Sequence, residues 1–368
     1  MKKKLNIGIL FGGKSAEHEV SRQSALNVYD AVDRDAYEPY LIGIDKNGRW
    51  YFQTGDIAQF VLNRTDPERV KLAAASGRAA LIPEGEGKCV YNLDTSKSVV
   101  NLDVVFPILH GPLGEDGTVQ GLLKLAGIPY VGCGVLASAA GMDKDICKRL
   151  LRDSGIPVAP WITRTAHEKR LSFAEAVRAL GLPLFIKPAN MGSSVGVNKA
   201  HNEDEYIQFV NNAFLYDTKI LIEQEIKGRE IECAVLGNEN PAASIPGEVI
   251  SNHEYYSYEA KYLDENGAAL KIPAELSPEK CEAVKALAVK TFTALGCEGL
   301  SRVDMFLQAD GNLVVNEINT MPGFTKISMY PKLWEASGIS YTRLIDRLIQ
   351  LALERFATEK NLKTTFFN

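Results

Sequence analysis

No stretch of this 368-residue chain approaches the ~20 consecutive apolar residues of a membrane-spanning helix, which argues against a membrane protein. Cysteine is scattered. There are six, with no C-x-x-C pair, so buried free thiols in a reducing cytosol fit better than a zinc site or a disulfide framework. A long basic run is missing and the net charge is −5, which argues against nucleic acid as the main partner. Internal repeats and long low-complexity segments are absent too. The opening Met1-Lys-Lys-Lys-Leu-Asn-Ile-Gly-Ile-Leu-Phe11 imitates a secretory signal, but its apolar run is short and Lys14, Glu17, His18 and Glu19 follow at once. It reads as a first buried strand. What is present, 46% hydrophobic and 24% charged residues, is the balance of a soluble globular protein with room for about two to three domains.

The N-terminal third alternates strand and helix signals. Residues 5–11 form a strand ending at Gly12-Gly13, and a helix follows with Val20, Ala25, Val28 and Val32 on one side. Gly8 to Ser15 matches the P-loop spacing formally, yet the residues after Gly8 are still strand, so the match is rejected. Glu17 has two readings, an acid favouring a helix dipole or the partner of a ligand ammonium. Tyr37–Ile44 and Leu102–Leu109 are further strands, and residues 54–97 read as loops with short elements. The loop His110–Gly117 sits at a strand's C-terminal end, where open α/β sheets collect ligands. A single helix is expected from Ala137 to Ser154, carrying Lys144.

The middle of the chain carries phosphate signals. Lys187 ends an apolar strand, and Gly192-Ser193-Ser194-Val195-Gly196 can offer N–H groups and hydroxyls to phosphate oxygens. Glu223 closes another strand, either as an edge-strand acid or beside a purine. Residues 243–250 form a strand, and the aromatic loop His253–Tyr262 reads as a lid.

The densest chemistry lies in Leu300–Asn319, a hairpin. A two-residue turn at Asp310-Gly311 sets Asp304 opposite Glu317 and Arg302 opposite Asn319, all on one face, with Val303, Met305, Val314 and Ile318 on the core face. Facing carboxylates repel. Either a hard cation lies between them, or Arg302 neutralises a solvated face; the hairpin alone leaves both open.

Together these residues resemble a known family. Arg302-Val-Asp304 with Asn316-Glu317-Ile-Asn319-Thr-Met-Pro-Gly323 looks like the ATP-grasp signature. The set Gly12–Ser21, His110–Gly117, Lys187-Pro188, Gly192–Gly196 and Glu259-Ala-Lys-Tyr262 resembles the D-alanine–D-alanine ligase family from about residue 4 to 355. The resemblance implies an α/β fold, α+β in its ATP-grasp part. An N-terminal open parallel-sheet domain (1–136) is followed by a two-part ATP-grasp fold, with a central subdomain (137–226), a C-terminal domain with hairpin and lid (227–358) and a tail (359–368).

The implied roles follow residue by residue. Lys144, Lys187 and Ser194 would contact ATP phosphates, and Lys261 would reach the γ-phosphate. Glu223, the backbone of Gln224 to Ile226, and Glu230 would hold adenine and ribose. Asp304, Glu317 and Asn319 would ligate two Mg²⁺ (or Mn²⁺) ions. Glu17 would take the ammonium of the first D-alanine, joined by hydrogen bonds to Ser193 and Tyr262, with His110 nearby. Arg302, reassigned from neutraliser to oxyanion partner, and the Gly323 N–H would form the oxyanion hole, and Ser328 and Met329 would contact the second substrate. Met329 stands where the family often has Leu, and Gln224 where some relatives have Lys. The implied protein is cytoplasmic and homodimeric. Rival readings are a ligase joining D-alanine to D-lactate or D-serine, a non-catalytic nucleotide-binding regulatory module, and a biotin-dependent carboxylase subunit. The Glu-Ala-Lys-Tyr lid argues against the lactate type, and the intact Arg302, Asp304, Glu317 and Asn319 argue against decay.

Overall fold

The computed structural model describes residues 3–52, 77–82, 89–251 and 268–363, and every absence stated below concerns these residues. The first sheet grows from β1 (Leu5–Gly12), whose Ile7, Ile9, Leu10 and Phe11 are fully buried, as a strand covered on both faces requires. After α1 (His18–Ala31) come β2 (Tyr37–Ile44) and the short β3 (Trp50–Phe52), joined through Asn47-Gly48. The less patterned stretch contributes β4 (Ala79–Leu81), β5 (Cys89–Asn92) and β6 (Lys97–Asn101), an antiparallel sheet of their own. β7 (Val104–Ile108) then pairs with the other side of β1, giving the order β3-β2-β1-β7 with β2, β1 and β7 parallel. The strand β1 continues through Gly8 to Gly12, so the formal P-loop match falls on strand.

Two helices, α2 (Thr118–Leu125) and α3 (Val135–Met142), lead out of this sheet. The single helix expected over 137–154 is broken. Asp143 is extended (φ −79°, ψ 100°), and its side chain accepts from the N–H groups of Asp145 and Ile146 at 3.1 Å, starting α4 (Lys144–Asp153) afresh. An N-cap aspartate therefore divides the expected helix, and Lys144 becomes the first residue of a new one.

The second sheet contains β8 (Trp161–Thr165), β9 (Leu184–Pro188), β10 (Asn198–Ala200) and β11 (Lys219–Gln224), all antiparallel in the order β10-β9-β11-β8, backed by α5 (Phe173–Leu180) and α6 (Glu203–Ala213). The edge-strand reading of Glu223 is wrong, because β11 lies between β9 and β8.

The third sheet runs β15-β14-β12-β16-β17, built from β12 (Arg229–Gly237), β14 (Gly247–Ser251), β15 (Ala268–Lys271), β16 (Gly299–Leu307) and β17 (Leu313–Asn319), with β13 (Ala242–Ala243) beside β12. The strand expected over 243–250 is thus split, with Pro246, which has no N–H to donate, falling between β13 and β14. Helix α7 (Pro278–Ala294) covers one face, capped by Ser277, whose Oγ accepts from the Lys280 N–H at 3.2 Å. Finally α8 (Met329–Ala336) and α9 (Tyr341–Lys360) return to the first sheet. Ile7, Ile9 and Phe106 share one core with Phe324, Tyr330, Leu344 and Leu348, so opposite ends of the chain pack together. That packing brings the β1 end of the molecule to the hairpin.

The hairpin holds a compensated error. The turn is longer by one residue than the expected two: the Gln308 N–H donates to Asn312 O at 2.9 Å, leaving Ala309-Asp310-Gly311 as the loop, with Gly311 at φ +85°. Near the turn Phe306 therefore faces Val314 and Met305 faces Val315. A bulge between Asp304 and Met305 takes up Asn316, and the pairs Asp304–Glu317 and Arg302–Asn319 come out as expected. The core assignment changes accordingly. Val315, not Val314, joins Val303, Met305 and Ile318 in the core under α7, while Val314 pairs with Phe306, which lines the cleft described next.

Candidate active site

A cleft of about 240 Å³ lies between the second and third sheets. Its lining includes Lys144, Lys187, Ser194, Glu223, Gln224, Ile226, Glu230, Asp304 and Glu317, so most of the residues expected around a nucleotide are brought together. Lys187 Nζ, at the end of β9, lies 2.7 Å from Glu223 Oε2 and 3.4 Å from Asn316 Oδ1. Lys144 Nζ donates to Met191 O at 2.5 Å and lies 3.9 Å from Glu317 Oε2, tying the start of the Gly/Ser loop to the hairpin. The loop itself is strained. Ser193 (φ 49°) and Ser194 (φ 60°) both occupy the left-handed region that side chains rarely adopt.

Glu223 also meets Lys148, on α4, at 3.2 Å. Burial opposes ionisation of Glu223, but Lys148 and Lys187 outweigh it and hold the carboxyl down at about 2. The buried Lys148 escaped the sequence reading. Only its position one helical turn after Lys144 could have pointed to it.

On the hairpin, Arg302 donates to both Asp304 oxygens at 2.7 and 2.6 Å, and its Nε lies 2.9 Å from Glu232 Oε2. The guanidinium is thus ion-paired with Asp304 and Glu232, and the same acids raise its own pKa despite burial. Glu232 was missed. The alternation of Glu230 and Glu232 on β12 was the available signal, since Glu232 lies directly opposite Asp304. Asn319 Nδ2 donates to Asp304 Oδ2 at 2.9 Å. Among the described residues no cluster of three or more Asp, Glu, His or Cys could hold a metal by itself. Two carboxylates and an amide are an oxygen donor set of the kind Mg²⁺ shares with phosphates, so the residues fit a cation completed by a nucleotide.

Glu17 stands at the mouth of β1, buried, at the N-cap of α1. Its carboxylate makes no capping bond; Ser193 Oγ donates to it instead. Two glycines keep space beside it. A Cβ on Gly111 would come within 3.0 Å of Glu17 Oε2 and one on Gly192 within 3.1 Å. Glu115, another residue the sequence reading passed over inside the His110–Gly117 loop, accepts from the Gly111 N–H at 2.6 Å. Burial, reinforced by the charge of Glu17, pushes its carboxyl up to about 8. Both ring nitrogens of His110 have protein partners, Ser24 Oγ at 3.3 Å and Met321 O at 3.2 Å. Burial holds its pKa down.

Gly323 is closely packed, since a Cβ there would approach Ser328 Oγ to 3.0 Å. Ser328 Oγ accepts from the Thr325 N–H at 3.1 Å, and Met329 is buried in the core shared by the chain ends. Lys261, Tyr262 and the expected lid around them lie outside the described residues.

Two antiparallel sheets closing on a charged cleft place the chain in the ATP-grasp class. Family models for the D-ala D-ala ligase N-terminus and C-terminus match residues 6–133 and 150–350. The chain is 53% identical over 366 residues to a D-alanine–D-alanine ligase of Oceanobacillus iheyensis, covering 99% of both. It is 52% identical over 363 residues to D-alanine–D-alanine ligase A of Escherichia coli K12, covering 98% of this chain and 99% of that one. Among solved structures, the Coxiella burnetii D-alanine–D-alanine ligase superposes with a TM-score of 0.86 at 38% identity, over 97% of this chain and 96% of that one. A D-Ala:D-Ser ligase from Enterococcus faecalis superposes at 0.85 and 36% identity, over 95% and 100%. The chain belongs to the D-alanine–D-alanine ligase family.

Proposed function

We propose that this protein joins two D-alanines into D-alanyl-D-alanine with cleavage of ATP to ADP and phosphate, supplying a peptidoglycan precursor. One observation carries the reading: Ser193 donates to Glu17 while its neighbour Ser194 lines the nucleotide cleft. An ammonium held by Glu17 therefore lies next to the phosphate loop. The carboxylate of that first D-alanine attacks the γ-phosphate and becomes an acyl phosphate. The second D-alanine attacks as the free amine, and the tetrahedral intermediate collapses to dipeptide and phosphate.

Lys144 and Lys187 hold the phosphate oxygens, where catalysis is chiefly positioning and charge stabilisation. Glu223, Gln224, Ile226 and Glu230 hold adenine and ribose. Arg302 and the Gly323 N–H stabilise the oxyanion. Asp304, Glu317 and Asn319 would hold two Mg²⁺ (or Mn²⁺) ions, which neutralise phosphate charge when bound. Lys261 and Tyr262 are assigned from the family resemblance, to the γ-phosphate and to the Glu17–Ser193 pair. So are Ser328 and Met329 beside the second substrate, the domain boundaries, the homodimer and the cytoplasmic setting. Among the described residues no helix is long and apolar enough to cross a membrane.

The likeness to a D-Ala:D-Ser ligase favours D-serine as the second reading for the second substrate. Phosphate release with D-alanine alone, against mixtures with D-serine or D-lactate, tests both. No release with D-alanine sinks the proposal, and faster turnover with the D-serine mixture replaces it with the second reading.

A further inference from the structure

We propose that Lys148 is a positioning residue for ATP binding: it keeps Glu223 paired when Lys187 leaves that carboxylate for a phosphate oxygen. The inference rests on the assignment of Lys187 to the triphosphate.

The two lysines hold opposite oxygens of one carboxylate, Lys187 on Oε2 at 2.7 Å and Lys148 on Oε1 at 3.2 Å. Their settings differ. Lys187 is 13% exposed and lines the cleft, whereas Lys148 is 2% exposed and Glu223 3%. Lys148 Nζ also donates to Ala159 O at 3.4 Å and lies 5.6 Å from the centre of the Trp161 ring. That ring is fixed in turn by its Nε1, which donates to Asp145 Oδ1 at 2.9 Å. Lys148 is therefore sealed behind Glu223, and Lys187 is the partner with a route to the ligand.

Breaking a buried ion pair is strongly unfavourable when it strands a charge. If Lys187 were the sole counter-ion, each ATP bound would strand Glu223. With Lys148 in place, the move exchanges one cation for a phosphate and leaves the buried carboxylate neutralised. Lys148 touches neither phosphate nor adenine in this account; it sets how readily Lys187 is released.

The test is a double-mutant cycle read by ATP dissociation constant and by KM and kcat, with folding checked by circular dichroism. Lys148→Met should weaken ATP binding at least about tenfold while changing kcat much less, because Lys187 then stays on Glu223. Lys148→Arg should retain most of the affinity. In a Glu223→Gln background, Lys148→Met should change ATP affinity less than about twofold, since no charge is left to strand. Equal effects of Lys148→Met in both backgrounds would show a packing role and overturn the inference, as would unchanged affinity in the single variant. If the single variant does not fold, the double variant compared with Glu223→Gln decides: similar affinity supports the inference and a large loss overturns it. Lys187→Met is the control for the parent reading. Unchanged ATP affinity there sinks the Lys187 assignment itself, whatever Lys148 does.

Discussion

The two ends of the site handle charge in opposite ways. At the nucleotide end the charges are paired in advance, Lys187 with Glu223 and Arg302 with Asp304 and Glu232. At the amino-acid end two carboxyls, Glu17 and Glu115, share a buried corner, bonded there by a serine hydroxyl and a backbone N–H. In the proposed function the first end works by exchange, since an incoming phosphate or cation would replace an internal partner. The second is an excess of carboxyl groups, and in the proposed function Glu17 takes the incoming ammonium beside a Glu115 that burial favours neutral. On that proposal nucleotide binding swaps existing ion pairs, and substrate binding brings a cation to Glu17.

Several variants break or sharpen that contrast. The largest effect is expected at the exchange end. Asp304→Ala should cut phosphate release by on the order of 10³-fold. It should still fold, by circular dichroism, because Arg302 retains Glu232. Near-normal activity would remove Asp304 from the metal set. At the excess end, Glu17→Gln should raise KM for the first D-alanine by about 10²-fold, the worth of a charged hydrogen bond, and leave ATP affinity unchanged. Equal losses for both substrates would erase the division between the ends.

Asp143→Ala should act more mildly. It removes the cap of α4 and the ion pair with Lys219, lowering stability by about 1 kcal/mol and raising KM for ATP severalfold through Lys144. Calorimetry and initial rates check the two parts.

The smallest effect is a slope. The Glu115 carboxyl titrates at about 8 in the fold against 4.5 ordinarily. Below the lower value both folded and unfolded chains are protonated. Between the two the unfolded chain ionises and the folded one does not, so the contribution of this group falls as pH rises and is flat above the upper value. Glu115→Gln should therefore flatten the decline in melting temperature between about pH 5 and about pH 8. An unchanged slope would mean that neither burial nor the neighbouring Glu17 raises this carboxyl in solution.

How legible this was depended on the range of the interactions. The parallel sheet announced itself through its apolar strands, and Ser277 announced α7, because both signals are local. The facing of Asp304 and Glu317 was legible too, although the turn was read one residue short, because the bulge at Asn316 restored the count. The break at Asp143 was hidden by an apolar stripe that runs on through Ala137, Ala140, Cys147 and Leu151, all buried. Lys148 and Glu115 were harder still. An ordinary helical lysine and a loop acid gain meaning only from partners far along the chain, Glu223 for one and Glu17 for the other.

The hairpin tip and its working end are mechanically insulated from each other. Ala309–Gly311 lie outside the ladder, so a residue lost there leaves Gln308 and Asn312 to close a two-residue turn with the pairing beyond it unchanged. Asn316 is the one spare residue of β17 between the tip and Glu317, so a residue lost from that stretch can be absorbed by loss of the bulge. Deleting Asn316 should regularise the ladder and leave Asp304 facing Glu317, whereas deleting Phe306, which shortens β16 between Asp304 and the tip, should misregister the pair. The loop can thus drift in length over evolution while the two acids stay paired.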